Sequence, residues 1–436
     1  MNPVVTVLVA TRPQLVAPYL PRIDGPVHCL IPAGTEHLWR AAGVTAPLHT
    51  VGSWSDYTAL AAAVAPLPVT RIISTDEITI AAAGFLRTRF GVAGQGWEQA
   101  LAFTDKATMK RRLAEAGISV TGWGVARSFD EASAVADRLG WPVVVKPRRG
   151  FGALGTTKVE TAQQMSEFAA AGRFTPQVGD GDDYAAMLRA SGVYDALDAA
   201  PDGFLVERCV DAAAEYSCDM VVVDGERRFA LTTRYPTTIL DAVGSGRIAE
   251  FIGLPADDPE AESVEALTTR AIAVLGLRTG QVHCEIFRTR SGDYLLGEIA
   301  CRAGGAGLPM MAQILFGINT IAAGVEIAVG RDPGRPTPRA YRSLVAVGVP
   351  LANGLVIAVP TVDQLRAIPG VAHADLRVRV GETYGGSMGS CAAAAYLYFE
   401  PQPGELVDLR MDDIRAAAAA LFTVVPEHTA ALDAVG

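Results

Sequence analysis

Apolar residues in this chain fall into two rhythms, short runs of Val, Ile and Leu and longer stretches where they recur every three or four positions. The run P-V-V-T-V-L-V at 3–9 predicts a buried first strand, bounded by Arg12-Pro13. Val27 to Pro32 predicts a second strand, Tyr57 to Val64 a helix, and Arg71 to Ser74 a third strand that ends in Thr75-Asp76-Glu77. Short strands alternating with helices imply an open α/β layer over residues 1–103. The layer lacks G-x-G-x-x-G, so it carries no sign of a dinucleotide site.

Thr104-Asp105-Lys106 then opens a helix, with Thr104 as the expected cap and Gly117 as its end. A strand is expected near Ser119–Trp123, a helix over about Asp130–Leu139, and a strand over Pro142–Lys146 that Pro147 stops. The run R-R-G-F-G-A-L-G-T-T at 148–157 is a glycine-rich loop, followed by a strand at Lys158-Val159 and a helix near Ala162–Ala171. Residues 174–203, rich in Gly, Asp and Ala, read as an insertion. Strands are expected at Gly203–Val210 and Glu215–Asp224, a long loop at Arg234–Glu250, and helices at 260–275 and Met310–Ala328. R-D-P-G-R-P-T-P at 331–338 is the clearest linker. Beyond it, strands near 343–349, 355–359 and 392–399 and a helix near 411–421 form a small α/β closing module.

The stretch from Gln281 to Gly307 reads as a β-hairpin turning at Ser291-Gly292. That two-residue turn sets Phe287 opposite Leu296, Glu285 opposite Glu298, His283 opposite Ala300 and Gln281 opposite Arg302. Val282, Cys284 and Ile286 take the core face, and Gln281, His283, Glu285, Glu298 and Arg302 the other. Carboxylates directly opposed across strands have Cβ atoms roughly 4.5–5.5 Å apart and destabilise the pair. Protonation, Arg302 or a divalent cation must offset that repulsion. The Gly304-Gly305-Ala306-Gly307 run that follows suits close approach to a ligand and favours the cation. Lys146, at the end of a strand and just before the glycine loop, suits phosphates bound by free backbone N–H groups. A Walker A motif is absent.

Composition narrows the class. With 436 residues the chain exceeds one ordinary domain, and half its residues are hydrophobic. A net charge of −10 argues against broad nucleic-acid binding. No run of about 18 charge-free apolar residues suggests a membrane span, and Met1–Val9 has no basic n-region or cleavage pattern. Six scattered cysteines without C-x-x-C read as small core residues in a reducing compartment, so the cytoplasm is the expected location.

The order of these parts resembles the ATP-grasp superfamily, ligases that clamp ATP between two α+β lobes. The resemblance covers roughly residues 1–330. It rests on A-x-x-x-x-D-K-x-x-M-K-x-x-L-x-x-A-G-I at 100–118, W-P-V-V-V-K-P at 141–147, the glycine loop, V-E-R-C-V at 206–210, Glu215, and the Glu285/Glu298/Arg302 hairpin. It implies an α/β (α+β) ATP-grasp fold with an N-terminal α/β domain at 1–103, an ATP-grasp domain at 104–330 (lid about 118–206) and the closing module at 331–436. It further implies that Lys106 and Lys146 contact phosphates and that Gly150, Gly152, Gly155 and Thr156 belong to the lid over them. Glu207 would take the adenine amino group, with Arg208 and Val210 as the hinge, and Glu215 the ribose. Glu285 and Glu298 would hold Mg²⁺, with Mn²⁺ as an alternative, and Arg302 the transferred phosphoryl group. Arg234, Arg302, Gly304 and Gly305 would meet the substrates. The family often has E-x-N-x-R where this chain has Glu298-Ile299-Ala300-Cys301-Arg302, and Ala300 cannot coordinate.

Within the superfamily the chain is most similar to carboxylate–amine ligases, including L-amino-acid ligases that make dipeptides. A small-molecule carboxylate and an amine are then the expected partners, with no nucleic acid and no membrane, and a homodimer is compatible with the reading. The rival readings are a biotin-carboxylase-like enzyme that activates bicarbonate, a small-molecule kinase, and a non-catalytic ATP-binding regulatory protein. The biotinyl M-K-M segment of a fused carboxylase is absent.

Overall fold

The computed structural model describes residues 4–171, 203–245, 247–337, 339, 341–384 and 393–426. Its first layer is a parallel sheet of β1 (Thr6–Val9), β2 (Val27–Pro32), β3 (Leu48–Val51) and β4 (Arg71–Ser74) in the order β3-β2-β1-β4. Val7, Leu8 and Val9 are all buried because helices cover both faces of this sheet. One of them, Glu77–Phe90, starts where β4 ends, capped by the Asp76 side chain on Thr79 N, and stops at Gly91 in the left-handed region. The expected strands at 27–32 and 71–74 and the expected helix at 57–64 keep their limits.

A second, antiparallel sheet holds β5 (Trp123–Ala126), β6 (Val143–Pro147), β7 (Thr157–Val159) and β8 (Phe204–Arg208) in the order β5-β8-β6-β7. Of the stretch 174–203, all but Gly203 lies outside the described residues.

The largest sheet has eight antiparallel strands. It is built from β9 (Ala212–Val223), β10 (Glu226–Arg234), β11 (Phe251–Gly253), β12 (Gly280–Thr289), β13 (Tyr294–Ala300), β14 (Val345–Val349), β16 (His373–Leu376) and β18 (Ala395–Phe399). The order is β13-β12-β9-β10-β11-β14-β18-β16, so strands on both sides of the 331–338 linker share one sheet. β15 (Gly354–Ala358), β17 (Thr383–Tyr384) and β19 (Thr423–Val425) form a small separate sheet. Tyr216, Cys218, Met220, Val282, Cys284 and Ile286 bury one face of the large sheet, against the helices Lys106–Glu115 and Pro259–Leu275.

Several expectations are corrected. Asp105, not Thr104, caps the Lys106 helix, its Oδ1 accepting from Ala107 N and Thr108 N; Thr104 ends the preceding helix. The long loop at 234–250 contains the helix Ile239–Gly244. Met310–Ala328 is two helices, Leu308–Phe316 and Thr320–Ala328, broken at Gly317, whose φ of 73° ends the first. Among the described residues, no single helix is long and apolar enough to cross a membrane.

The β12–β13 hairpin turns through three residues, with Thr289 N donating to Asp293 O and Gly292 at φ 94°. Below the glutamates, Phe287 therefore pairs with Leu295 rather than Leu296. A bulge then adds Gly297 to β13, and the shift is undone: Glu285 pairs with Glu298 and His283 with Ala300, as expected. Pairing ends at Ala300, so Gln281 does not meet Arg302. A Cβ on Gly297 would lie 2.8 Å from Phe287 Cε2 and 3.3 Å from the Glu285 carbonyl. Gly297→Ala should thus cost about 1–3 kcal/mol through overpacking, read as a lower Tm.

Candidate active site

A cavity of about 1300 Å³ is lined by residues in or next to all four sheets. Its floor is the polar face of β9 and β12. Strand pairing sets His283 beside Asp219, Glu285 beside Ser217 and Phe287 beside Glu215. The helix start at Lys106, the loop at 150–156 and the stretch at 207–212 contribute to the wall. Residues 75–78 of the N-terminal layer and 381–384 of the C-terminal part line it as well.

Two lysines and two glutamates organise the centre. Lys106 Nζ lies 3.0 Å from Glu298 Oε1 and donates to the Gly150 carbonyl at 2.7 Å. Lys146 Nζ lies 2.9 Å from Glu207 Oε2 and 3.8 Å from Glu298 Oε2. Lys110, with no exposed surface, closes the set: its Nζ lies 2.7 Å from Glu207 Oε1 and donates to Thr121 Oγ1 and the Gly297 carbonyl, both at 2.8 Å. Burial alone would push the Glu207 carboxyl up, but Lys110 and Lys146 outweigh it and hold it down to about 2. Burial likewise opposes charge on Lys146, yet Glu207 and Glu298 raise its pKa above the ordinary lysine value.

The opposed carboxylates are thus neutralised differently from the expectation. Glu298 is met by Lys106 and Lys146, and Glu285 Oε1 faces His283 Nε2 at 3.6 Å. Burial tends to raise the Glu285 pKa, and His283 lowers it below the ordinary value. Burial also works against charge on His283, but Asp219, 3.4 Å from Nδ1, lifts it to about 9. Arg302 Nε donates to Glu77 Oε2 at 2.8 Å, and its charge makes a smaller contribution to lowering Glu285. Glu215 is pushed up to about 8 by burial and then by the charge of Glu285, while its Oε2 accepts from Ile239 N at 2.8 Å.

Most of the expected residues converge here. Lys106, Lys146, Gly150, Gly152, Thr156, Glu207, Arg208, Val210, Glu215, Glu285, Glu298, Arg302, Gly304 and Gly305 all line the cavity. Gly155 serves the loop from its left-handed position (φ 65°) without lining it. Arg234 does not belong. It pairs with Tyr216 on the core-facing register of β9, one residue out of phase with the polar face, and is exposed. Lys110, Glu77 and Asp219 are site residues beyond the expected set. Lys110 follows Lys106 by one helical turn, which was readable. Asp219 alternates with Glu215, which was readable too. Glu77 lies 225 residues from Arg302, and nothing local marks it.

Among the described residues, no group of three or more His, Cys, Asp or Glu side chains forms a metal cage. Glu285 and Glu298 nevertheless fit a magnesium ion. They offer two hard carboxylates, 31% and 19% exposed to the cavity, on rigid strands. Magnesium usually takes one or two carboxylates and completes its shell with water and phosphate oxygens. Ala300 adds no ligand.

Removing Lys110 should be costly, because it leaves Glu207 buried with less compensation. Lys110→Met is expected to lose about 3–5 kcal/mol. The pH dependence follows from the depressed Glu207 pKa. Its contribution is complete above the unfolded value of about 4.3 and is lost as pH falls toward the folded value of about 2. Without Lys110 the folded value rises, so acid unfolding of the variant should begin at higher pH than in the parent, measured by circular dichroism across an acid titration.

Residues 139–310 match the ATP-grasp domain family. The chain is 29% identical over 332 residues to an L-arginine-specific L-amino acid ligase of Bacillus subtilis, spanning 76% of this chain and 75% of that protein. Its fold matches an L-amino acid ligase from Bacillus licheniformis with a TM-score of 0.65 at 12% identity, over 98% of this chain and 100% of the other. A biotin carboxylase domain from Hydrogenobacter thermophilus matches with a TM-score of 0.64 at 14% identity, over 98% and 91% of the two chains. Residues 139–310 carry an ATP-grasp domain, in a chain whose sequence and fold are similar to those of L-amino acid ligases.

Proposed function

We propose that the enzyme activates a carboxylate as an acyl phosphate at the expense of ATP, and that an amine then displaces phosphate to give an amide or peptide bond. The observation that carries this reading is the convergence of Lys106, Lys146, Glu285, Glu298 and Arg302, from separate elements, on one cavity. Lys106 and Lys146 receive the phosphates, and Gly150–Thr156 folds over them. Glu207 and the Arg208–Val210 backbone take the adenine, and Glu215 the ribose. Glu285 and Glu298 hold magnesium, which when bound neutralises phosphate charge. Arg302 stabilises negative charge on the phosphoryl group in transfer. Gly304 N donates to Asp219 Oδ1 at 2.6 Å, so the substrate-facing loop is pinned to the sheet floor. Positioning and charge compensation supply the catalysis.

Amino acids are the proposed substrates, and the L-arginine preference of the Bacillus subtilis relative makes L-arginine the first candidate. Phosphate release should require ATP, an activatable carboxylate and an amine together, and a pairwise amino-acid screen measures this. ADP and phosphate are the expected products. AMP and pyrophosphate would contradict the acyl-phosphate route.

Lys146→Ala should leave the chain folded, reduce ATP affinity by an order of magnitude or more and nearly abolish turnover. Calorimetric titration with ATP beside the turnover assay checks it. Parental ATP affinity in the folded variant would remove Lys146 from phosphate binding.

A further inference from the structure

The polar face of β12 and β13 carries one group that the proposed roles leave unused, His283. Residues two apart on a strand share a face, so His283 and Glu285 stand side by side on β12. Across the ladder to β13 their partners are Ala300 and Glu298. Three corners of this square carry donor groups and the fourth carries a methyl. His283 is 8% exposed and lines the cavity. Its Nε2 lies 3.6 Å from Glu285 Oε1. Adjacent ligands of one octahedral ion lie about 3 Å apart, so the two atoms are already close to the spacing that a shared ion needs.

The other ring nitrogen is held. Asp219, opposite His283 on β9, brings Oδ1 to 3.4 Å from Nδ1. The same Oδ1 accepts from Gly304 N at 2.6 Å, so Asp219 is itself fixed. A carboxylate on one imidazole nitrogen sets the ring's orientation and tautomer and leaves the lone pair of the other nitrogen for a metal.

We propose that His283 Nε2 is a third protein ligand of the metal site formed with Glu285 and Glu298, and that this nitrogen makes the site prefer Mn²⁺ to Mg²⁺. The inference rests on the metal role that the ligase reading gives the two glutamates, and it names the ion. Mg²⁺ takes oxygen donors and keeps bound water, whereas an imidazole nitrogen adds affinity for a first-row transition ion. On binding, the ion takes the place of any proton on Nε2, which goes to solvent. Glu298 is turned to Lys106 and Lys146, at 3.0 and 3.8 Å, so the three donors do not meet at one point. In the proposed function the phosphates draw both lysines away, which frees Glu298 to join the other two.

Pulsed electron paramagnetic resonance of Mn²⁺ bound together with a non-hydrolysable ATP analogue reads the ligand directly. The parent should show the nitrogen modulation of a coordinated imidazole. Isotopic labelling of histidine should change that pattern, which sets it apart from an adenine nitrogen. Among the described residues His283 is the one histidine that lines the cavity, and His283→Gln should lose the signal. In titrations with the same analogue present, the parent should bind Mn²⁺ about tenfold or more tighter than Mg²⁺. His283→Gln should weaken Mn²⁺ about tenfold or more and leave Mg²⁺ nearly unchanged, so the preference collapses.

A parent without the histidine signal would overturn the inference, whatever the variant does. Equal losses of Mn²⁺ and Mg²⁺ in His283→Gln would also overturn it, and would leave His283 as a positioning group for Glu285. Glu285→Gln separates the inference from the reading beneath it. If that variant loses the metal while the parent shows no histidine signal, the inference alone fails. If it binds Mn²⁺ as the parent does, the metal role of the glutamates fails and the inference with it. If the histidine signal appears while no pair of amino acids releases phosphate from ATP, the ligase reading fails and the metal site stands.

Discussion

The centre of this molecule depends on how the charge of Glu298 is compensated. Strand pairing sets it opposite Glu285, an arrangement that costs stability unless cations are near. Lys106 and Lys146 supply them from two different elements, a helix start and a strand end. Lys146 also holds Glu207, which Lys110 holds in turn. The result is one lattice in which each lysine contacts a carboxylate that is mostly or wholly buried. A nucleotide that draws Lys106 and Lys146 onto its phosphates leaves Glu298 in need of another cation. Under the proposed phosphate and magnesium roles, the two ligands would be tied through one carboxylate, as linkage requires when two ligands share a group.

The scaffold serves this lattice. The bulge at Gly297 brings Glu298 into register with Glu285, and its carbonyl receives Lys110. Asp105 starts the Lys106 helix and also accepts from Arg148 Nε at 3.2 Å, joining the helix to the glycine loop. Arg377 donates to the Ala306 carbonyl and Tyr398 Oη to the Gly307 carbonyl at 3.0 Å, so residues beyond the linker hold the loop after Arg302. These contacts, like the shared eight-stranded sheet, make the C-terminal part a wall of the site.

Much of this was legible in the sequence where the determining signal is local. Alternation placed Glu285 and Glu298 on one face and Val282, Cys284 and Ile286 on the other, and a pair of departures cancelled: a turn one residue longer and a bulge of one residue. Lys106 and Lys146 stood out beside a cap and a glycine loop. What pairs with them did not, because the partners of a buried lysine come from strands far away in the chain. Arg234 falls off the polar face because a period of two fixes a side chain's face only once the strand is recognised, and β10 lies between the expected strand at 215–224 and the expected loop at 234–250. Glu77 and Arg302 meet through the packing of two layers, for which no sequence spacing exists.

The most direct test of the lattice is the thermal stability of Glu298→Gln without nucleotide or metal. If Lys106 and Lys146 are the partners of Glu298, removing its charge strands two largely buried lysines, and Tm should fall by several degrees. If repulsion between Glu285 and Glu298 dominates instead, the substitution relieves it. An unchanged or higher Tm in the metal-free protein would contradict the account.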